Sequence, residues 1–407
     1  MADDGHRRHI ICFALITALC LTGDSMLYIV LPLYYREAGL NSLWEVGIIL
    51  AANRIVRLPL NPPVGRLYTL ISERTGILVA VFLATATTLT YGFASSFPVW
   101  LAARCLWGAA WTLLRLGSLF CILRVSTPDN RGRCTGLYNG LYRLGSLVGM
   151  LCGGFIADAV GLRGTALIFA AVTAPAIVCA LLLIPAGGQR RRSPDAGPGA
   201  GLRACLRTAG TLRIAAAGGI VSLVIPGILA PTLSLLIAAH TGGGVEFAGI
   251  LIGAASLGGF FQALRWAWEP WLAPLTGKLA DRRGGRDKLL YPAFAAGGLL
   301  TAALAAPLPL PFWFACLLGI QLAATALTTL TDIAASDAAA RAGGHSLLVI
   351  YAFAADAGMA VGPILAYGMN EILDINDVYI FSAGLLFLYF LGYRKGTPPP
   401  AERRRTR

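Results

Sequence analysis

Charge is scarce in this chain, and negative charge is the scarcer sign. Only 13% of its 407 residues are charged, with 20 Asp and Glu against 33 Lys and Arg. Soluble domains carry about 25% charged and about 45–50% apolar residues, so a chain that is 57% hydrophobic is not a water-soluble globule. Other absences narrow the field further. The nine cysteines include no CxxC pair and mostly fall in apolar runs (Cys12, Cys20, Cys105, Cys121, Cys152, Cys179, Cys316), as small packing residues do. They predict neither a disulfide framework nor a metal site. No nucleophile–base–orienter set and no phosphate loop emerges, so neither an enzyme nor a bound cofactor is expected.

What is present is long hydrophobic runs. About twelve recur, near 10–35, 44–68, 76–96, 98–123, 134–158, 163–186, 212–239, 245–272, 288–307, 310–334, 345–372 and 376–394. Each is long enough to cross a hydrocarbon core of roughly 30 Å as a helix. The first run is too long for a cleaved signal peptide and holds Asp24 at its middle. The expected fold is therefore all-α and membrane-integral.

The net charge of +13 is distributed by side. One set of connections holds little beyond Arg36 and Arg163. The alternate set holds Arg66, Arg74, Arg124, Arg131, Arg133, Arg190–Arg192, Lys278, Arg282, Arg283, Arg286 and Lys288, and the tail adds six more basic residues from Arg394 on. By the positive-inside rule both termini are cytoplasmic, in a bacterial inner membrane. The basic character reports topology rather than a nucleic-acid partner, and the tail is placed to meet anionic lipid.

Residues 187–211, rich in Gly, Pro and Arg, break the pattern. They predict a cytoplasmic linker between six spans (1–186) and six more (212–396), followed by a basic tail (397–407). The halves echo each other. Pro62-Pro63-Val64-Gly65-Arg66-Leu67 in the second span has its counterpart in Pro274-Leu275-Thr276-Gly277-Lys278-Leu279 of the eighth. The Gly145/Gly149 pair in the fifth is matched by Gly358/Gly362 in the eleventh, at the same offset to within a single position. Tandem helical repeats of this kind place a substrate site between the halves near the bilayer midplane.

These residues resemble the major facilitator superfamily over essentially the whole chain. Gly277-Lys278-Leu279-Ala280-Asp281-Arg282-Arg283-Gly284-Gly285-Arg286 is similar to the family's loop signature, departing at Gly285; in the first half Thr69 stands where the Asp would be. Arg104-Cys105-Leu106-Trp107-Gly108 resembles the family's Arg-x-x-Gln-Gly element with Trp107 for Gln, and Gly145 to Gly154 resembles its glycine-rich element with Met150 for Pro. Asp24 followed by Leu31-Pro32 is as in many proton-coupled exporters. The resemblance implies two six-helix bundles, transport by alternating access, and a conformational latch at Gly277, Asp281, Arg282 and Arg286. Asp281 would cap a helix N-terminus, where a carboxylate is favoured.

An ion in a span defaults to a functional hypothesis with its partner to be named. Counting along each helix at about 1.5 Å per residue sorts them by depth. Asp24 and Arg54 lie at matching depth from the outer ends of the first and second spans, and Arg104 lies somewhat nearer the outer end of the fourth. Asp24 is expected to pair with Arg54, Arg104 or both, as a proton-coupling group or as a static packing pair. Arg265 and Asp356 match in depth in the second half, with Glu269 one turn from Arg265. Arg57, Arg115 and Arg143 share an inner layer whose own half supplies no acid. Either they bind an anion, helped by Tyr28, Trp111 and Tyr142, or they close an inner gate against Glu269 and Asp356.

The leading expectation is a monomeric, proton-coupled transporter of a small organic anion: a polycarboxylate, carboxylate siderophore or organophosphate. The alternatives are a multidrug/proton antiporter, a lipid or lysophospholipid transporter, and a nontransporting membrane scaffold.

Overall fold

The protein was described from a computed structural model, which describes residues 2–127, 130–184, 209–282, 287–342 and 346–395. The expected linker (its residues 187–208), the tail and Arg286 lie outside them.

In a bilayer every backbone N–H and C=O has to be satisfied within its own segment, so apolar runs become helices. The first half comprises α1 (Ala2–Val30), α2 (Leu43–Leu70), α3 (Glu73–Phe93), α4 (Phe97–Val125), α5 (Arg131–Thr173) and α6 (Pro175–Leu183). The second comprises α7 (Ala209–Ser222), a π-helical turn (Leu223–Leu229), α8 (Ala230–Thr241), α9 (Ala254–Arg282), α10 (Asp287–Leu304), α11 (Leu310–Ala342), α12 (Ser346–Asn370) and α13 (Ile375–Lys395). Among the described residues, eight segments are long and apolar enough to cross a membrane. The longest, Arg133–Leu183, turns back on itself and crosses twice. With α2 and α9, which carry charges, and the shorter α10, the described helices make the twelve crossings of two six-helix bundles.

Local chemistry sets the boundaries. Ser42 and Ser72 cap α2 and α3 by accepting from the amides of Glu45 and Thr75. Gly161, at φ 71° and ψ −176°, breaks α5 where the chain reverses. The freed amides of Leu162 and Arg163 donate to the Glu37 carboxylate, each at 3.1 Å. Pro226 lies in the π turn, where the Ala230 amide reaches back to the Ile225 carbonyl.

Two boundaries depart from the sequence expectation. The eighth span begins at Ala254 rather than 245, because Gly244–Phe247 and Ile250–Gly253 form an antiparallel hairpin. Its apolar residues read equally well as the start of a helix. The fifth and sixth spans are joined by a single glycine instead of a loop.

Glycine spacing decides which helices touch. A Cβ on Gly145 or Gly149 would strike the backbone of α1 at Ala18 or Thr22. A Cβ on Gly358 or Gly362 would strike Gly219 or Gly227, on the helix that corresponds to α1 in the second half. The internal repeat therefore holds in three dimensions.

Between the bundles, α2 faces α12 and α5 faces α9. Gly47 meets the Pro363 carbonyl, and Gly259 meets that of Met150. Both contacts lie toward the face opposite the chain ends. A Cβ on Gly65, on the same side of α2 as Gly47 about five turns further along, would meet nothing within 4 Å among the described residues, nor would one on Gly136 or Gly140 of α5. The bundles meet on one face and part toward the face that carries the termini.

Candidate functional site

The deepest ionic group joins α1 to α4. The Arg104 guanidinium pairs with Asp24 through Nη1 and Oδ1, the two side chains being 0% and 7% exposed. Arg104 Nε also donates to the Ile49 carbonyl at 3.2 Å, and Asn53 donates to Asp24 at 3.5 Å. Gly108 allows this geometry, because a Cβ there would strike the Asn53 backbone. Breaking a buried pair by removing one partner strands the other charge in low dielectric, at a cost of about 3–5 kcal/mol.

Arg54 does not share Asp24, as depth alone allowed. Its Nε and Nη2 both reach the Tyr28 hydroxyl at 3.4 Å, and its guanidinium lies 5.7 Å from the Tyr28 ring centre. The Arg104 guanidinium lies 5.9 Å from the same ring. Tyr28 is thus wedged between two cations, a favourable position for an aromatic face.

One turn beyond Arg54 the character changes. Arg57 lies 5.1 Å from the centre of the Trp111 ring, and its buried Nε has no hydrogen-bond partner. Arg115, an exposed residue, donates to Asn139 Oδ1 at 3.3 Å and lies 5.8 Å from the Tyr142 ring. Trp111 and Tyr142 meet edge to face at 5.8 Å, so the two arginines share one aromatic wall. Asp356 of α12 is the acid opposite them, within electrostatic reach of Arg57, Arg54 and Arg115 in that order of strength. The expected Arg265–Asp356 pairing is not formed. Equal depth on α9 and α12 left their rotation open, and α12 turns Asp356 toward the first bundle.

Arg143 is the member of the inner layer that finds an acid. It pairs with Glu269 across the α5–α9 interface, its side chain 42% exposed and that of Glu269 20%. The Arg143 and Arg265 guanidiniums lie 5.4 and 5.6 Å from the Trp266 ring, and Arg265 is buried with its Nε unpartnered. A Cβ on Gly277 would lie 3.6 Å from Ile333 of its own bundle. Asp281 and Arg282 are in the last turn of α9, and their side chains lie outside the described residues, as does Arg286.

Sequence reasoning missed a set of carboxylates at the far face. Asp158 of α5 accepts from Ser256 of α9 at the backbone amide (2.9 Å) and at the hydroxyl (2.5 Å), and from Tyr34 at 3.3 Å. Glu371, just past α12, accepts from the Trp44 amide of α2 at 3.1 Å. The signal that would have found them is the repeat offset.

Twelve crossings among the described residues, in two repeated bundles joined at one face and parted at the other around charged residues at mid-depth, define a membrane-embedded carrier. The chain belongs to the Major Facilitator Superfamily, whose sequence profile matches residues 13–348, and it is a multi-pass transporter of that family. The human synaptic vesicular amine transporter is 29% identical over 134 residues, a stretch covering 33% of this chain and 26% of that protein. This chain thus spans about a quarter of that relative's length. Among solved structures, the nucleoside transporter NupG superposes with a TM-score of 0.75 at 13% identity, covering 95% of this chain and 98% of that one. A bacterial homologue of the human lysosomal transporter Spinster, inward-facing and unoccupied, superposes at 0.71 and 16%, covering 97% and 99%. At such identities the likeness is one of fold.

Proposed function

We propose that this transporter moves a small organic anion, such as a polycarboxylate, a carboxylate siderophore or an organophosphate, and couples that movement to protons. The observation that carries the reading is the imbalance at the aromatic wall. Arg54, Arg57 and Arg115 gather there with Asp356 as the nearby acid, and Arg57 keeps a buried donor unused. A buried donor without a partner costs free energy. A carboxylate or phosphate supplies the missing acceptor, and the guanidinium fork receives it with two parallel bonds. Glu269, the acid that would otherwise close over these arginines, is taken by Arg143.

Asp24 and Asp356 are the coupling acids in this reading, with Arg54, Arg104, Arg265 and Glu269 around them. Asp356 faces arginines of the other bundle, so its proton affinity follows its distance to them as the bundles rock, whereas Asp24 shares a bundle with Arg104 and Arg54 and couples only through a shift within that bundle. The open face is the cytoplasmic one, since it carries the Arg66, Arg74, Arg124 and Arg133 connections.

The test is ligand-dependent thermal stability of the purified protein. A ligand that binds only the folded state at 100 times its Kd adds about 2.7 kcal/mol. Citrate, glycerol 3-phosphate or inorganic phosphate is expected to raise the melting temperature of the wild type and not of Arg57→Ala. Stabilisation of both proteins alike would overturn the anion reading.

The match to an amine transporter favours a second reading. There Asp356, exposed in the opening, receives a cationic compound against Trp111 and Tyr142, and the arginines are structural. Stabilisation by tetraphenylphosphonium that is lost in Asp356→Asn would establish it.

A further inference from the structure

Two bonds of one design join the bundles at the far face, beside the bond that the Ser234 hydroxyl donates to the Ile29 carbonyl of α1 at 2.8 Å. The first bundle's Asp158 accepts from the first-turn amide of the second bundle's α9, at Ser256. The second bundle's Glu371 accepts from the first-turn amide of the first bundle's α2, at Trp44. Trp44 is separated from Ser256 by the same interval as Gly65 from Gly277, and Asp158 from Glu371 by the same interval as Gly145 from Gly358. Those are the offsets of the internal repeat, so the bonds are one interaction used twice, each bundle capping a helix of the other. The contacts beside them repeat as well. Gly47 meets Pro363 and Gly259 meets Met150, and the same two intervals relate Gly47 to Gly259 and Met150 to Pro363.

We infer that Asp158 and Glu371 are paired gating residues of the transport cycle, and that their bonds to Ser256 and Trp44 hold the far face shut and release together. The physical basis is that first-turn amides have no partner inside their own helix and that the helix dipole favours a carboxylate there. Such a bond exists only while the partner bundle is close. Opening the far face separates α5 from α9 and α2 from α12, and both caps then pass to water. Rigid bundles cannot lose one contact and keep its twin, so the two act as one switch.

The two ends are unequal in strength. Asp158 receives the amide and hydroxyl of Ser256 and also the Tyr34 hydroxyl, whereas Glu371 receives one amide. Tyr34 stays protonated as a donor, because burial and then the Asp158 charge push its pKa up to about 12. Gly253 makes room for this end, since a Cβ there would collide with the Asp158 carboxylate.

Hydrogen–deuterium exchange on the full chain in proteoliposomes tests the inference without knowledge of the substrate. The readouts are peptides covering 43–50 and 254–260, with 376–386 as a control. Asp158→Ala is expected to raise exchange roughly tenfold at both gate peptides, including 43–50, which Asp158 does not touch. Glu371→Ala is expected to do the same more weakly, again at both. Gly253→Ala keeps the charge but displaces the carboxylate, and is expected to match Asp158→Ala; it and Glu371→Ala carry the test where Asp158→Ala fails to fold. A rise confined to the helix that lost its own cap, or no rise with the control unchanged, would overturn the inference.

Discussion

Arg143 of α5 and Glu269 of α9 pair across the interface between the bundles, at the level where those helices begin to part. Seen from the closed face, this pair lies beyond the Met150–Gly259 contact, and beyond it a Cβ on Gly140 or Gly136 would meet nothing within 4 Å among the described residues. It therefore settles a competition among the inner arginines. Arg143 belongs to the interface, and Arg57 and Arg115 belong to the opening.

The pair predicts a charge-swap result. Glu269→Gln leaves Arg143 and Arg265 as cations around Trp266 without their direct carboxylate partner, Asp332 being the acid still within electrostatic reach of Arg143. Turnover in proteoliposomes is expected to fall by roughly 10-fold or more, in line with about 1.5–3 kcal/mol for a hydrogen bond to a charged group. The double variant Arg143→Glu/Glu269→Arg is expected to recover part of that loss. A double variant no better than the single ones would show that the pair does not act as a unit.

The Asp24–Arg104 pair predicts a stability cycle. Asp24→Asn strands a guanidinium that is fully enclosed. Melting or denaturant unfolding is expected to show a loss of about 3–5 kcal/mol. Replacing both residues, as Asp24→Leu with Arg104→Leu, is expected to cost less than Asp24→Asn alone, because no charge is left unpaired. If the double variant loses as much as the sum of the single ones, the two residues act independently and their pairing contributes nothing to stability.

The depth of each ion was legible in the sequence and its bearing was not. A helix rises evenly, so counting residues placed Asp24 level with Arg54, a few residues deeper than its actual partner Arg104, and set Arg57, Arg115 and Arg143 in one layer. Rotation about the helix axis and the lateral order of helices are set by packing between elements. For that reason Arg54 met Tyr28 instead of Asp24, and Asp356 met the first bundle instead of Arg265. The hairpin before α9 and the π turn at Pro226 were hidden because apolar residues look alike in either conformation. Asp158 and Glu371 sit near helix ends, where an acid normally reads as a solvated residue. Only the offset already visible in Gly65/Gly277 and Gly145/Gly358 sets them apart.

The aromatic wall predicts how affinity divides between charge and geometry. Arg57→Ala and Arg115→Ala are each expected to weaken anion binding by roughly 10–150-fold, the equivalent of about 1.5–3 kcal/mol for one charge-assisted bond. Arg57→Lys keeps the charge and loses the fork. It is expected to bind a monovalent acid nearly as well as the wild type but a phosphate or dicarboxylate clearly less well. Isothermal titration with acetate, phosphate and citrate checks this ordering. Equal losses for all three would mean that Arg57 acts as a point charge.

Glycines in equivalent-looking positions on one helix predict opposite outcomes. Gly145→Val drives a branched side chain into the Ala18 backbone of α1, which cannot move without separating α1 from α5. Overpacking costs typically about 1–3 kcal/mol, and roughly the upper end is expected where the obstacle is backbone. Gly136→Ala meets nothing within 4 Å. In a helix it is expected to stabilise by roughly 0.5–1 kcal/mol, through the lower entropy cost of ordering alanine. Thermal melting of the two variants in the same detergent reads the difference directly. A destabilised Gly136→Ala would mean that α5 is closed against a neighbour at its terminus-facing end in solution. That outcome would also remove the splayed arrangement on which the opening at Arg57 and Arg115 depends.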